Sequence, residues 1–277
     1  MPSTRSEKDA QELLEANQYS VEKLPESNRR TADFFVSKNN DRYIIEVTEK
    51  EPAEAFTQML QTANKEGLGT LIRELDRNNG LDGIIKKKAA QLRATDREAD
   101  FKLLWIAGPN GDSDFFRDVL IRTLYGLAQL SAVRSMDLDF LKTSPPTMHI
   151  CFYYDYFSFY GLPDLAGVIF SVQGQKILFV NPFGGKASEF RNSEIHHLFE
   201  NIGAVADPDT IKDPSVLFLG LKVERSNQRA KWEYIKNTYG ILTSRMIESS
   251  FRGVVPFKIS TQYSPGTSGS FPREETP

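Results

Sequence analysis

Glu46 lies in Tyr43-Ile44-Ile45-Glu46-Val47-Thr48, a run whose β-branched neighbours predict a strand buried on both faces. An ionised carboxylate in such a place is expensive unless a cation, a metal or strong donors meet it. Strand alternation puts Glu46, Thr48 and Lys50 on one side, for as far as the strand runs. Asp33 opens the preceding run, Asp33-Phe34-Phe35-Val36, and can lie across a hairpin from that same side. Two carboxylates converging from adjacent strands suit a hard divalent cation, which prefers oxygen ligands. Such an ion activates water and stabilises a pentavalent phosphate, the chemistry of phosphodiester cleavage.

Positioning these groups requires a particular set of elements. Ser6 followed by Glu7 and Asp9 predicts a helix start, with Ala10, Leu13 and Leu14 on one side. A short segment from Val21 to Leu24 follows. The Asn/Asp-rich stretch Ser37-Lys38-Asn39-Asn40-Asp41 between two β-rich runs predicts a hairpin. Residues 54–97 read as helical, broken at Asn78-Asn79-Gly80. Phe101 to Ala107 reads as a buried strand ending at Gly108-Pro109-Asn110-Gly111, and Asp114 to Ser131 as a helix. Beyond that come an aromatic strand-like run from Met148 to Tyr160 and a hairpin around Gln173-Gly174-Gln175. Helices are expected over 188–201 and 228–249, with a strand at 216–223 between them.

Composition bounds the class. The 277 residues are 40% hydrophobic and 26% charged, enough to bury a sizeable core. One cysteine, Cys151, excludes a disulfide framework and a cysteine-rich zinc module. No apolar run approaches membrane-spanning length and no secretory leader is evident, so a cytoplasmic protein with no membrane partner is expected. A net charge of −3 argues against a histone-like binder but leaves room for a local basic groove.

The order helix, short strand, Asp33 on a strand, Glu46-Val47-Thr48 on the next, then helix and strand, resembles the PD-(D/E)xK superfamily of restriction-endonuclease-like nucleases. The likeness covers roughly the first 110 residues. It implies an α/β fold: a restriction-endonuclease-like core with a central mixed sheet flanked by helices, extended by a second α+β half. Residues 1–110 would form the core, 111–260 an extension or subdomain, and 261–277, rich in Ser, Pro, Gly and Thr, a disordered tail. It further implies Mg²⁺ or Mn²⁺ held by Asp33 and Glu46, DNA as partner, and a homodimer that addresses both strands. The setting would be restriction, repair or defence.

Carried over position by position, the superfamily's lysine falls on Thr48, and Ala32 stands where its proline would be. Threonine cannot position water and neutralise charge as lysine does. Lys50 is the first candidate replacement; Lys88, with Gln91 one helical turn on, is the second, since the lysine of this superfamily can migrate to that helix. From the first helix, where such sites often draw a glutamate, Glu12 is the candidate third ligand, although Glu12 and Glu15 both sit off the apolar face. The alternative is a catalytically inactive module on the same fold that binds nucleic acid or protein.

Other motifs point elsewhere or nowhere. Lys86-Lys87-Lys88 reads as an exposed helical face or a phosphate contact. Asn181-Pro182-Phe183-Gly184-Gly185-Lys186-Ala187 departs from a P-loop at its first glycine and at Ala187, and reads as a turn. Gly67-Leu68-Gly69 lacks the context of a dinucleotide site. The adjacent His196 and His197 do not share a helical face, against a two-histidine clamp. The aromatics of 152–160 suit core packing more than base stacking.

Overall fold

In the computed structural model the described residues are 3–25, 31–66, 68–109, 112–133, 146–172, 174–247 and 250–256. The expected tail at 261–277 lies outside them, as do Asn110, Gly111, Gln173 and Gly67 of the motifs above. The chain divides into two units.

The first unit, Met1–Pro52 with Arg73–Phe251, is built on a sheet of seven strands. Helix α1 (Arg5–Ala16) leads into β1 (Ser20–Lys23), β2 (Phe34–Lys38) and β3 (Asp41–Glu49). β1 pairs antiparallel with β2, and β2 antiparallel with β3. Strands β5 (Phe101–Ala107) and β8 (Gly167–Val172) continue the sheet in parallel, and β9 (Gln175–Val180) returns antiparallel before β10 (Ala204–Ala206) closes the edge.

Each strand presents alternate residues to two apolar layers. Ile44, Leu104, Ile106 and Val168 pack against Leu81, Ile85, Ala89 and Leu92 of α3 (Asn79–Ala94) and Leu120 and Leu124 of α4 (Ser113–Tyr125). Tyr43, Ile45, Leu103 and Trp105 pack against Ala10 and Leu14 of α1 and Ile195 and Phe199 of a later helix, Glu194–Ile202. A sheet covered on both faces explains why the central residues of β3 and β5 read as continuous apolar runs.

A second sheet, of four strands, combines β6 (Ala128–Val133), β7 (Thr147–Phe152), β11 (Val216–Phe218) and β12 (Thr243–Ile247) in the order β11-β7-β6-β12. Ile235 of the helix Gln228–Tyr239 joins its core with Leu130, Cys151 and Leu217. The latter half of the chain therefore both extends the main sheet and builds a sheet of its own.

The other unit, Ala53–Ile72 with Arg252–Pro277, holds α2 (Glu54–Glu66) and most of a two-stranded sheet of β4 (Leu68–Glu74) and β13 (Ser250–Pro256).

Several expectations change. The helical reading of 54–97 misses β4, whose residues sit between two true helices. The reading of 228–249 as one helix fails at Gly240, which takes a left-handed φ of 66°, the usual signal that ends a helix; β12 follows. The aromatic strand stops at Phe152 and gives way to turns and a 3₁₀ turn at Ser158–Gly161. The helix expected over 114–131 ends at Tyr125, capped by Gly126 at φ 60°, and the strand expected over 216–223 stops at Phe218. Thr4, not Ser6, caps α1, its hydroxyl accepting from the Glu7 N–H.

Tyr125, fully buried at the end of α4, ties two strands of the main sheet together. Its hydroxyl lies 2.8 Å from the carbonyl of Val180 and 2.9 Å from that of Ala206. Tyr125→Phe leaves those buried carbonyls without that donor and is expected to destabilise the protein by about 1–3 kcal/mol. Urea denaturation reads this as a lowered midpoint at unchanged slope.

Candidate active site

The β2–β3 register pairs Phe34 with Ile45 and Val36 with Tyr43. One step beyond the end of β2, Asp33 falls opposite Glu46 on the face that α3 covers. The Val47 N–H donates to Asp33 Oδ2 at 2.7 Å, and the Leu24 N–H donates to the Asp33 carbonyl at 2.8 Å, which fixes the segment before β2. The two acids named from the sequence are therefore neighbours on one side of the sheet.

Helix α3 supplies the cation. Its apolar stripe, Leu81, Ile85, Ala89 and Leu92, sits on the sheet, and Lys88 and Gln91 border that stripe. Lys88 Nζ donates to Glu46 Oε1 as a close ion pair. Gln91 Nε2 donates to Glu46 Oε2 at 2.8 Å and to the Thr31 carbonyl at 2.5 Å. The Ala32 N–H donates to Thr95 Oγ1 at the C-terminal end of α3. Helix, strand and the segment carrying Asp33 are thus joined through the carboxylate they surround.

Electrostatics follow from that enclosure. Glu46 is 1% exposed. Burial, then the charge of Asp33, raise its pKa to about 7 against the hydrogen bond and charge of Lys88. Asp33 is raised too, mainly by burial, with the Val47 N–H opposing. Among the described residues neither acid has an arginine partner. A carboxylate offers about four lone-pair directions, so Lys88 and Gln91 leave Glu46 with accepting capacity. Two crowded oxygen-donor groups with raised pKa values fit a hard divalent cation, which would relieve both the repulsion and the desolvation.

The remaining candidates distribute plainly. Thr48 is half-buried and follows Glu46 on the same face; Lys50 is exposed beyond the end of β3, its backbone N–H donating to the Ala107 carbonyl. Lys88, not Lys50, is brought to the acids. Glu12 is exposed and lines a cleft with Glu49 and Lys176 that neither Asp33 nor Glu46 lines. Glu7, five residues before it and on a different side of the helix, is the α1 acid whose charge reaches both Asp33 and Glu46; it also pairs with Lys23 at 2.7 Å. The apolar stripe of α1 gave no reason to single out Glu7, because its position depends on where the first turn meets the sheet.

Lys86 turns away to Asp82, so the three lysines do not form one face. Elsewhere, His196, His197 and Glu200 place one donor atom each within 4.8 Å of one another, Glu200 reaching both rings from the next turn. The Asn181 segment is a turn as expected: the buried Asn181 amide donates to the Leu162 and Leu165 carbonyls. Cys151 is buried, with its thiol pushed up to about 12.

No family model, curated protein or solved structure matches the chain. Among the described residues no helix is long and apolar enough to cross a membrane.

Folded Glu46 holds its proton at pH values where the unfolded chain, at its ordinary 4.5, has released it. Stability therefore falls as pH rises from about 4.5 to about 7 and levels beyond, by on the order of 3 kcal/mol for a shift of this size. Glu46→Gln is expected to remove that fall. Thermal unfolding of both proteins at pH 5 and pH 8 checks it, and an unchanged pH dependence in the variant contradicts the assignment.

Proposed function

We propose that the chain is a metal-dependent, nuclease-like hydrolase of DNA phosphodiester bonds, on a restriction-endonuclease-like core. The observation that carries this reading is the buried Glu46, faced by Asp33 and met by Lys88 and Gln91 on one side of the sheet. Mg²⁺ or Mn²⁺ held by Asp33 and Glu46 would supply Lewis acidity at the phosphate and a more acidic bound water. Lys88 takes the role that Thr48 cannot: its ammonium neutralises charge developing on the phosphate oxygens and orients the attacking water. Gln91 holds the Glu46 carboxylate in place as that lysine shifts towards substrate. Restriction, repair or defence against foreign DNA is the setting that suits such chemistry, and a homodimer would bring one such centre to each strand.

The inactive-module alternative has its own support in the Lys88–Glu46 ion pair, which already satisfies part of the buried charge. A plasmid-nicking assay with Mn²⁺ separates the two. Nicking by the wild type is expected to fall roughly 100-fold or more in Glu46→Ala and in Lys88→Met, the loss typical of removing one charge-stabilising group. Nicking that persists undiminished in Glu46→Ala overturns the hydrolytic reading. Tight DNA binding by a wild type that never cleaves points to the module instead.

A further inference from the structure

Away from the acidic pair, three cations are buried without an ion-pair partner among the described residues. Arg122 is 8% exposed, Arg225 9% and Lys231 3%. All three line one cleft of about 550 Å³, where the end of α4, the turn after β7 and the helix Gln228–Tyr239 meet. Arg122 donates to the Leu127 carbonyl, and Arg225 to the carbonyls of Gly220 and Val223. The Arg225 Nε is buried with no hydrogen-bond partner among the described residues. Lys231 packs on the face of Tyr154, its Nζ 4.3 Å from the ring centroid. Carbonyls and a ring do not neutralise a cation, and buried cations without a close ion pair are costly. Burial holds all three below their ordinary pKa values, with Asp155 acting on Arg225 and Lys231, and Asp118 and Asp76 on Arg122, as the opposing acids, and the exposed Glu74 lines the same cleft. Those acids are exposed or half-buried, and among the described residues none forms an ion pair with these cations.

Two further features define the ligand. The helix that begins at Gln228 has no acid in its first turn, and although Asn227 caps it by accepting from the Ala230 N–H, its positive end lies at the cleft that Ser226 and Gln228 line. Arg225 and Tyr156 also line an adjoining pocket of about 330 Å³, with Phe157, Tyr160 and Leu221. Tyr156, Tyr160 and Leu221 are large apolar side chains left exposed there.

We propose that this pair of clefts binds a nucleotide, its phosphates between Arg122, Arg225 and Lys231 and its base against Tyr156 and Tyr160. The combined volume suits a small ligand, and the recessed cations suit phosphoryl oxygens more than a continuous strand. Binding needs neither Asp33 nor Glu46, so it stands or falls apart from the hydrolytic reading.

Calorimetric titration in EDTA with ADP, pyrophosphate and a single-stranded oligonucleotide tests this. ADP is expected to saturate one site, pyrophosphate to compete with it, and Glu46→Gln to bind as the wild type does. Lys231→Met is expected to weaken both small anions about tenfold or more, the usual worth of a charged hydrogen bond. It should also raise the melting temperature of the unliganded protein, because it removes an unpaired buried charge. Tyr160→Ala should weaken ADP several-fold and leave pyrophosphate unchanged. The proposal is overturned by absence of saturable binding of either anion, by affinity indifferent to Lys231→Met, or by an oligonucleotide that displaces pyrophosphate more strongly than ADP does. A Lys231→Met protein that melts lower while binding both anions normally makes the lysine structural and equally overturns it.

Discussion

A carboxylate buried in the middle of a two-faced sheet imposes the governing constraint on the first unit. Glu46 occupies a position where an aliphatic residue would fit the pattern of β3, and it is accepted only because α3 brings Lys88 and Gln91 onto its two oxygens. That compensation is partial. With Asp33 opposite, the local charge is still two acids against one lysine, and the raised pKa values of both acids express the imbalance. Perturbed pKa values of this kind cluster at functional sites, and structural ion-pair networks produce them too.

The scaffold around the mismatch is stiff. Asp33 is held at both its carboxylate and its carbonyl, Gln91 joins helix to strand, and Thr95 secures the residue before Asp33. Beneath this lies a helix docked through Leu81, Ile85, Ala89 and Leu92 onto strands whose other face is equally covered. Reacting groups on strands and helices with their neighbours locked keep closer geometry than groups on loops.

How much of this was legible from residues alone varied with the range of the interaction. The hairpin carrying Asp33 and Glu46 is local: an Asn/Asp turn between two β-rich runs sets it, and period-two alternation gives the shared face. The mixed sheet with flanking helices was legible for the same reason. Lys88 was legible only as an alternative to Lys50, because choosing between them requires the docking angle of α3. Glu7 was not legible, since amphipathicity tells which side of α1 is buried but not which end overlies the acids. The strand β4 and the early stop at Gly240 were missed where helix-compatible composition conflicted with pairing to distant strands. Arg122, Arg225 and Lys231 are far apart in sequence and carry no shared motif, so only tertiary packing reveals them as a group.

The link between β2 and β3 is a two-residue turn, Asn39-Asn40, with Asn39 at a left-handed φ of 52° that asparagine tolerates well. It works as a counting device. Cross-strand partners always point the same way, so the number of residues in this link decides whether the two acids meet. A single added residue would force a choice: either the ladder breaks at a bulge, or one carboxylate rotates into the aromatic layer under α1. Natural variation in the length of this loop should therefore be sharply restricted, although it lies at the surface, well away from the groups it aligns.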